Sequence, residues 1–195
     1  MASIRILTAA DVKAALSIAD AIEATRMAFA QLLSGRAEVP LRTQWSASNG
    51  TALVMPAYLP DSRGLGAKIV SVFPGNPGRG LPTVSALIAL LDTETGQPIA
   101  LLDGTYLTAL RTGAASGVAT SLLALPGAAT AAIFGAGVQA AHAVAARCAL
   151  SGRFAAPGCM TETPIGLRLW SRRWPGKTLS LKVSWLPNKC MRSAK

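Results

Sequence analysis

Helical spacing of apolar residues marks two segments near the start of the chain. Residues 18–33 bring Ile22, Phe29 and Leu33 to one side of a helix, and Gly35 follows as a predicted C-terminal stop. Upstream, the segment ILTAAD sets Thr8 three residues ahead of Asp11, which is the spacing of a capping box. The pattern therefore predicts two consecutive helices.

Apolar runs of strand length follow the second helix. They are TALVMPAY (51–58), GAKIVSVF (66–73), TVSALIALL (83–91) and IALLD (99–103). A hairpin turn is predicted at 92–98, whereas the Pro/Gly-rich loop 74–82 fits neither a helix nor a strand. Thr105 is expected to cap a long helix that ends before Pro126. These elements predict a mixed α+β domain over residues 1–125.

The segment IFGAGVQA (133–140) runs from a predicted strand at 130–134 through a glycine turn into a predicted helix at 138–150. Gly135 permits the tight turn, Gly137 the approach of a pyrophosphate, and Ala140 close packing of the helix on the strand. The helix N-terminus offers free N–H groups and a positive dipole end to phosphates. A dinucleotide-binding loop is favoured over a tight turn in an alanine-rich core, and both interpretations stay open.

Composition predicts a folded chain. Of its 195 residues 51% are hydrophobic and 14% charged, which is enough apolar material for a sizeable core. The sequence contains neither a transmembrane-length apolar run nor a signal-peptide pattern, so we expect a cytoplasmic protein without membrane association. Its cysteines, Cys148, Cys159 and Cys190, follow no metal-binding spacing, and no metal site is predicted.

The net charge of +10 is concentrated near the C-terminus. Residues 1–152 contain ten Lys/Arg and eight Asp/Glu, whereas residues 153–195 contain nine Lys/Arg, one acidic residue and three of the four tryptophans. Such a step indicates a basic binding tail or a foreign segment, and we interpret it as the product of a frameshifted or prematurely ended reading frame. Nucleic-acid binding by the tail is disfavoured, because it has no recognisable binding motif.

Four long motifs occur in order: GAKIVSVFPGN, GLPTVSALIALLDTETGQPIALLDG, TYLTALRTGAASGVA and IFGAGVQA. Together they resemble the ornithine cyclodeaminase/mu-crystallin family over about residues 4–150. The resemblance implies an α/β fold in which an N-terminal α+β substrate-binding and dimerisation domain (1–125) precedes an incomplete Rossmann-type dinucleotide-binding domain (126–173). An irregular basic tail (174–195) follows. The family resemblance also implies NAD or NADP as the cofactor, a homodimer, and a small amino acid or cyclic imine as the substrate.

The same resemblance assigns site residues. It implies that Arg42, Lys68 and Arg111 contact the substrate and that Lys68 is catalytic. The residues implied to contact the cofactor are Thr83, Arg111, Gly135, Gly137, Val138 and Gln139. From residue type alone, the two arginines are either a bidentate carboxylate clamp or solvated surface residues. Lys68 is either a gatekeeper on an edge strand or a partly desolvated amine that polarises a carbonyl or imine. His142, the only histidine, is expected to be a surface or packing residue.

The sequence departs from the family pattern in three respects. Ornithine cyclodeaminases carry a glutamate at the position of Leu53, so Leu53 favours the imine-reductase or dehydrogenase branch. LRLWSRR (167–173) resembles the second Rossmann strand but lies further along the chain than the family spacing would place it. If this segment is that strand, Ser171, Arg172 and Arg173 favour NADP. The alternative is a chance similarity within a basic tail. No residue is assigned the role of the family's catalytic aspartate.

The predicted function is NAD(P)-dependent hydride chemistry on a small amino acid or cyclic imine. Two forms stay open: conversion of ornithine to proline and ammonia, and reduction of Δ1-pyrroline-2-carboxylate or a related ketimine. The alternative is a truncated, catalytically inactive family member that only folds or dimerises through its N-terminal domain.

Overall fold

The computed structural model describes residues 3–125, 130–134, 137–150 and 156–160. Its helices and strands are, in chain order, β1 (Arg5–Leu7), α1 (Ala9–Ala15), α2 (Ile18–Leu33), β2 (Thr43–Ala47), β3 (Gly50–Leu59), β4 (Gly64–Val72), β5 (Val84–Leu91), β6 (Pro98–Asp103), α3 (Gly104–Leu123), β7 (Thr130–Phe134), α4 (Val138–Leu150) and β8 (Ala156–Met160). Short 3-10 turns occupy Pro60–Ser62 and Asn76–Arg79. The result is a mixed α/β fold.

A six-stranded sheet with the order β1-β6-β5-β4-β3-β2 forms the larger part of the fold. Its neighbours pair antiparallel except for β1 and β6, which run parallel. Helix α3 packs on one face so closely that a Cβ added at Gly104 would lie 2.8 Å from the carbonyl carbon of Ala86. The backbone N–H of Ala86 donates to Oγ1 of Thr105 at 2.9 Å, which fixes the start of α3 on the sheet.

Most predicted elements are confirmed, including the capping box of Thr8 and Asp11 and the position of Gly35, which has φ +70° after the end of α2. The prediction that Thr105 is the N-cap of α3, however, is wrong. Asp103 is the N-cap because its Oδ1 accepts the N–H of Tyr106 at 2.8 Å, while Thr105 bonds to the strand. Strands β1 and β2 were not predicted, because one has three residues and the other, TQWSA, is exposed along its length.

A βαβ unit follows α3. Strands β7 and β8 pair in parallel, from Thr130 opposite Ala156 to Phe134 opposite Met160, and α4 connects them. The strand predicted at 167–173 lies outside the described residues. Within them, Ala156–Met160 takes the position beside β7, directly after α4, which is the order expected of the first unit of a dinucleotide-binding fold.

Helices α2, α3 and α4 meet in a small apolar core. Its buried members share short or branched side chains and are Ala21, Ile22, Leu110, Ala114, Val118 and Ala146. Glycines on α3 let α4 approach: a Cβ added at Gly113 would lie 2.5–2.7 Å from atoms of His142. In the described part of the chain, none of the helices has the length and apolar character needed to span a membrane.

The close approach of α3 and α4 leads to a test with Gly113→Ala. The new methyl would meet backbone atoms of His142, which cannot swing aside as a flexible side chain could. Overpacking of this kind costs about 1–3 kcal/mol, so we expect a lower free energy of unfolding in urea titrations.

The matched control is Gly75→Ala, because a Cβ at Gly75 would meet nothing within 4 Å. We expect its unfolding midpoint to stay close to that of the unsubstituted chain. A Gly113→Ala chain as stable as this control would contradict the packing described here.

Candidate functional site

Lys68 lies in the middle of the sheet. It belongs to β4, where it pairs with Met55 of β3 on one side and Ile88 of β5 on the other. Because β4 has a partner strand on both sides, the alternative of an edge-strand gatekeeper is wrong. Lys68 is half-buried among apolar strand neighbours, a setting that disfavours the charged amine unless a polar partner or a ligand compensates for the lost water.

Two arginines stand close enough to Lys68 to act on its charge. Burial lowers the pKa of the Lys68 amine below its usual value, and the positive charges of Arg111 and Arg42 lower this pKa further. The ion pairs formed within the described residues are Arg26–Glu23 and Arg36–Asp61, so no described carboxylate pairs with any of the three cations. Three like charges that repel one another favour an anionic ligand at this point.

The register of the strands explains why these residues meet. Thr43 of β2 pairs with Val54 of β3 in antiparallel register. Arg42 immediately precedes Thr43, so the same register puts it opposite Met55. Met55 in turn pairs with Lys68. Because side chains alternate between the faces of a sheet, Arg42 shares the face of Met55 and Lys68, which is the face that α3 covers. Arg111 comes to it from α3.

The strand positions around Lys68 are apolar. Leu53 pairs with Val70, two residues from Lys68 and on the same face, and Met55 and Ile88 flank the lysine directly. None of these strand neighbours carries a negative charge that could bind a second amine of a diamino acid. The arrangement combines cations for a carboxylate with apolar surface for the rest of a small ligand.

A cavity of about 480 Å³ lies against α3, the helix that also carries Arg111, and Thr112, the residue after Arg111, is among its lining residues. One wall is α3 and the other is the turn that opens α4. The lining residues are Val84, Thr112, Gly113, Ser116, Ile133, Gly137, Val138, Gln139, Ala140 and Ala143. The N-terminus of α4 thus borders the cavity, and the exposed end of a helix favours phosphate groups. A Cβ added at Gly137 would meet nothing within 4 Å, so this glycine leaves open space for a ligand.

Three of the nine predicted cofactor residues line this cavity, and two more are chain neighbours of lining residues. Gly137, Val138 and Gln139 line it, Thr83 directly precedes the lining residue Val84, and Arg111 directly precedes Thr112. The predicted residues Gly135, Ser171, Arg172 and Arg173 lie outside the described part of the chain.

Sequence reasoning missed Thr112 and Ser116 as lining residues. They are four residues apart on a predicted helix, a spacing that puts two small polar groups on one face. This spacing could have identified them from the sequence. Both hydroxyls donate to carbonyl groups one turn earlier, so they lie flat against α3 and leave room in the cavity.

His142 packs at the junction of α3 and α4, as the sequence predicted. Its ring stands edge-on to Tyr106, with 5.4 Å between the ring centroids, and burial lowers the pKa of the imidazole. A half-buried ring in an aromatic pair is a packing residue. Among the described residues, no group of three or more His, Cys, Asp or Glu side chains is arranged to hold a metal ion.

Known proteins resemble this chain in sequence and in fold. The chain is 42% identical over 135 residues to alanine dehydrogenase of Archaeoglobus fulgidus, which covers 69% of this chain and 41% of that protein. A structure of Δ1-pyrroline-2-carboxylate reductase from Thermococcus litoralis, in complex with NADH and L-proline, is 43% identical with a TM-score of 0.77, covering 83% of this chain and 50% of that chain. An archaeal alanine dehydrogenase dimer with bound NAD is 35% identical with the same TM-score of 0.77, covering 81% and 48%.

The chain therefore spans about two fifths of that curated relative and about half of those solved chains. The model of the ornithine cyclodeaminase/mu-crystallin family matches residues 3–154, well over half of the sequence. From this match and these likenesses we conclude that the chain belongs to the ornithine cyclodeaminase/mu-crystallin family.

Proposed function

We propose that this chain takes part in NAD(P)-dependent hydride transfer to or from the α-carbon of a small amino acid or cyclic imino acid. The observation that carries the proposal is that α3 brings Arg111 to Lys68 and Arg42 and, with its next residues, Thr112 and Gly113, lines a cavity that also borders Gly137 and the first turn of α4. Such a site binds a carboxylate next to a second ligand, which is the arrangement that hydride transfer requires.

The cavity fits part of a dinucleotide. Gly137 leaves its floor open and the N-terminus of α4 faces it, so phosphates would lie against free N–H groups there. When bound, the nicotinamide would supply or accept the hydride. The two solved relatives described above contain NADH and NAD, respectively. Residues 1–125 would then act as the substrate-binding domain and residues 126–173 as the cofactor-binding unit.

Each cation has its own role in the proposal. Arg42 and Arg111 hold the two oxygens of the substrate carboxylate, because planar guanidinium groups suit bidentate contacts. Lys68 donates a hydrogen bond from Nζ to the substrate and polarises its C=N or C=O group, which prepares the α-carbon for hydride. Thr83, Val138 and Gln139 contact the cofactor, and Arg111 stands between the two ligands.

Leu53 favours imine reduction or amino-acid dehydrogenation over ornithine cyclisation. A diamino acid would bring a second positive charge towards three cations, and the strand positions beside them, Leu53 and Met55, offer no carboxylate. Repulsion would therefore weaken ornithine relative to Δ1-pyrroline-2-carboxylate.

A homodimer is part of the proposal because the second face of the sheet is open and apolar. Ile69 and Leu87 are neighbours on this face and are 47% and 42% exposed, and Trp45 on β2 is 54% exposed. Val54 and Ala52 continue the same face on β3. Contiguous apolar surface of this kind marks an interaction site, and a second copy would cover it with a matching patch.

The function is tested by fluorescence titration of NADH and NADPH, followed by assay of Δ1-pyrroline-2-carboxylate reduction. We expect binding of a reduced nucleotide, and about tenfold or more weaker binding by Gly137→Val, whose side chain would occupy the cavity without displacing protein atoms. Gly75→Val is the matched control, because a Cβ there also meets nothing within 4 Å.

A folded chain that binds neither nucleotide would refute the function and favour the inactive alternative. A Gly137→Val chain with unchanged affinity would refute the assigned cavity. Faster turnover of ornithine than of the imine would overturn the choice of branch made from Leu53.

The role of Lys68 predicts a pH dependence of anion binding. A suitable probe is pyrrole-2-carboxylate, a flat carboxylate without an ionisable amine. Its dissociation constant should be level while the amine is charged and rise as pH passes the pKa of Lys68, which burial and the two arginines lower. The rise should therefore begin below the usual range of lysine.

Lys68→Met should bind this probe more weakly near neutral pH and lose the alkaline rise. Lys13→Met, at an exposed lysine of α1, should keep both the affinity and the pH profile. An identical profile in Lys68→Met would show that another group controls the binding.

The open face predicts that Ile69→Lys separates the dimer. A buried, unpaired lysine in an apolar interface is costly, so we expect the molar mass from light scattering to fall to that of one chain. Leu33→Lys is the control, since Leu33 is 88% exposed at the end of α2, away from the sheet. A monomeric unsubstituted chain, or a dimer that survives Ile69→Lys, would contradict the proposed interface.

A further inference from the structure

Gln31 is the buried polar side chain of the described residues, with only 3% of its surface exposed. It lies in the last turn of α2, where a glutamine normally faces water. Its side chain is satisfied at both ends: Nε2 donates to Oγ of Ser62 at 2.7 Å, and Oε1 accepts the N–H of Asp61 at 3.1 Å. Gln31 thus ties α2 to the turn between β3 and β4.

The backbone of Gln31 also holds the segment that leaves α2. Its carbonyl oxygen accepts the N–H groups of Arg36 at 3.0 Å and Ala37 at 3.2 Å. Arg36 returns to the same turn through an ion pair with Asp61 at 2.6 Å. One residue therefore joins three pieces of chain: the end of α2, the β3–β4 turn and the connector 34–42.

The connector ends at Arg42 and is fixed on β3 at two points. Glu38 and Tyr58 exchange backbone hydrogen bonds of 2.9 and 2.8 Å, and Thr43 pairs with Val54. Only residues 39–42 lie between these two anchors, so Arg42 sits in a short, closed loop. Short loops leave few conformations, and this loop stays short while Glu38 remains on β3.

We propose that Gln31 is a positioning residue for the anion site, which it serves by fixing the connector that carries Arg42. The proposal rests on the function proposed above, since it assumes that Arg42 binds a substrate carboxylate. Without the side chain of Gln31, the end of α2 loses its tie to the β3–β4 turn. The Gln31 carbonyl that holds Arg36 and Ala37 is then no longer fixed relative to β3, so Arg42 at the end of the connector must be ordered when the ligand binds. That ordering is a cost which the intact protein has already met in folding.

The test is the dissociation constant of pyrrole-2-carboxylate, measured by calorimetry on the full chain with saturating NADH. We expect Gln31→Leu to weaken this affinity about three- to tenfold, the loss typical of one long side chain that must be immobilised on binding. The NADH affinity should not change, because neither Gln31 nor its partners Asp61 and Ser62 line the cavity. Gln97→Leu, at an exposed glutamine of the β5–β6 turn, is the matched control and should bind as the unsubstituted chain does.

A double-mutant cycle separates positioning from a general loss of stability. If Gln31 acts through Arg42, then Gln31→Leu should change the affinity less than about twofold in an Arg42→Met background. Equal losses in both backgrounds would overturn the proposal. If Gln31→Leu does not fold, Ser62→Ala carries the same test, because it removes only the partner of Nε2 at an exposed position.

The two proposals fail in different ways. An unsubstituted chain that binds no carboxylate overturns the proposed function and this inference together. An unsubstituted chain that binds the carboxylate, with Gln31→Leu and Ser62→Ala binding equally well, overturns the inference alone.

Discussion

Repulsion among three neighbouring cations is the physical constraint on which the proposed anion site depends. Lys68, Arg42 and Arg111 come from a central strand, a connector and a helix, and burial makes the charge of Lys68 more costly still. A fold gains no stability from such a cluster, because like charges and desolvation both oppose it. In the proposed function a bound carboxylate neutralises the cluster, and the apolar strand positions around it suit the rest of a small ligand.

Helix α3 joins this cluster to the cavity. Gly104 seats its first turn on the sheet, Arg111 reaches the cations, and Gly113 brings α4 into contact. In the proposed function the same helix sets the distance between the carboxylate and the nucleotide. The hydroxyls of Thr112, Ser116 and Thr120 donate to carbonyl groups one turn earlier in the helix, so these side chains lie flat against α3. A rigid spacer of this kind suits chemistry in which two ligands must meet at close range.

Apolar runs were sufficient to predict β3 to β6, and the capping box and glycine signals were sufficient to predict α1 and the end of α2. The family resemblance supplied the grouping of Arg42, Lys68 and Arg111, which stand far apart in sequence. Residue patterns alone left Lys68 undecided between the edge and the centre of a sheet, because strand order depends on pairings that no local pattern encodes. The burial of Gln31 and its contacts with the β3–β4 turn could not be predicted from the sequence, since a polar residue in the last turn of a helix is ordinarily solvated.

The most direct test of the account is a crystal structure of the chain with NADH and pyrrole-2-carboxylate. We expect the carboxylate oxygens within about 3.2 Å of guanidinium nitrogens of Arg42 and Arg111, with Nζ of Lys68 within hydrogen-bonding distance of the ligand and the nicotinamide in the cavity beside α3. A carboxylate bound elsewhere, with both arginines extended into solvent, would contradict the claim that these three cations form one anion site.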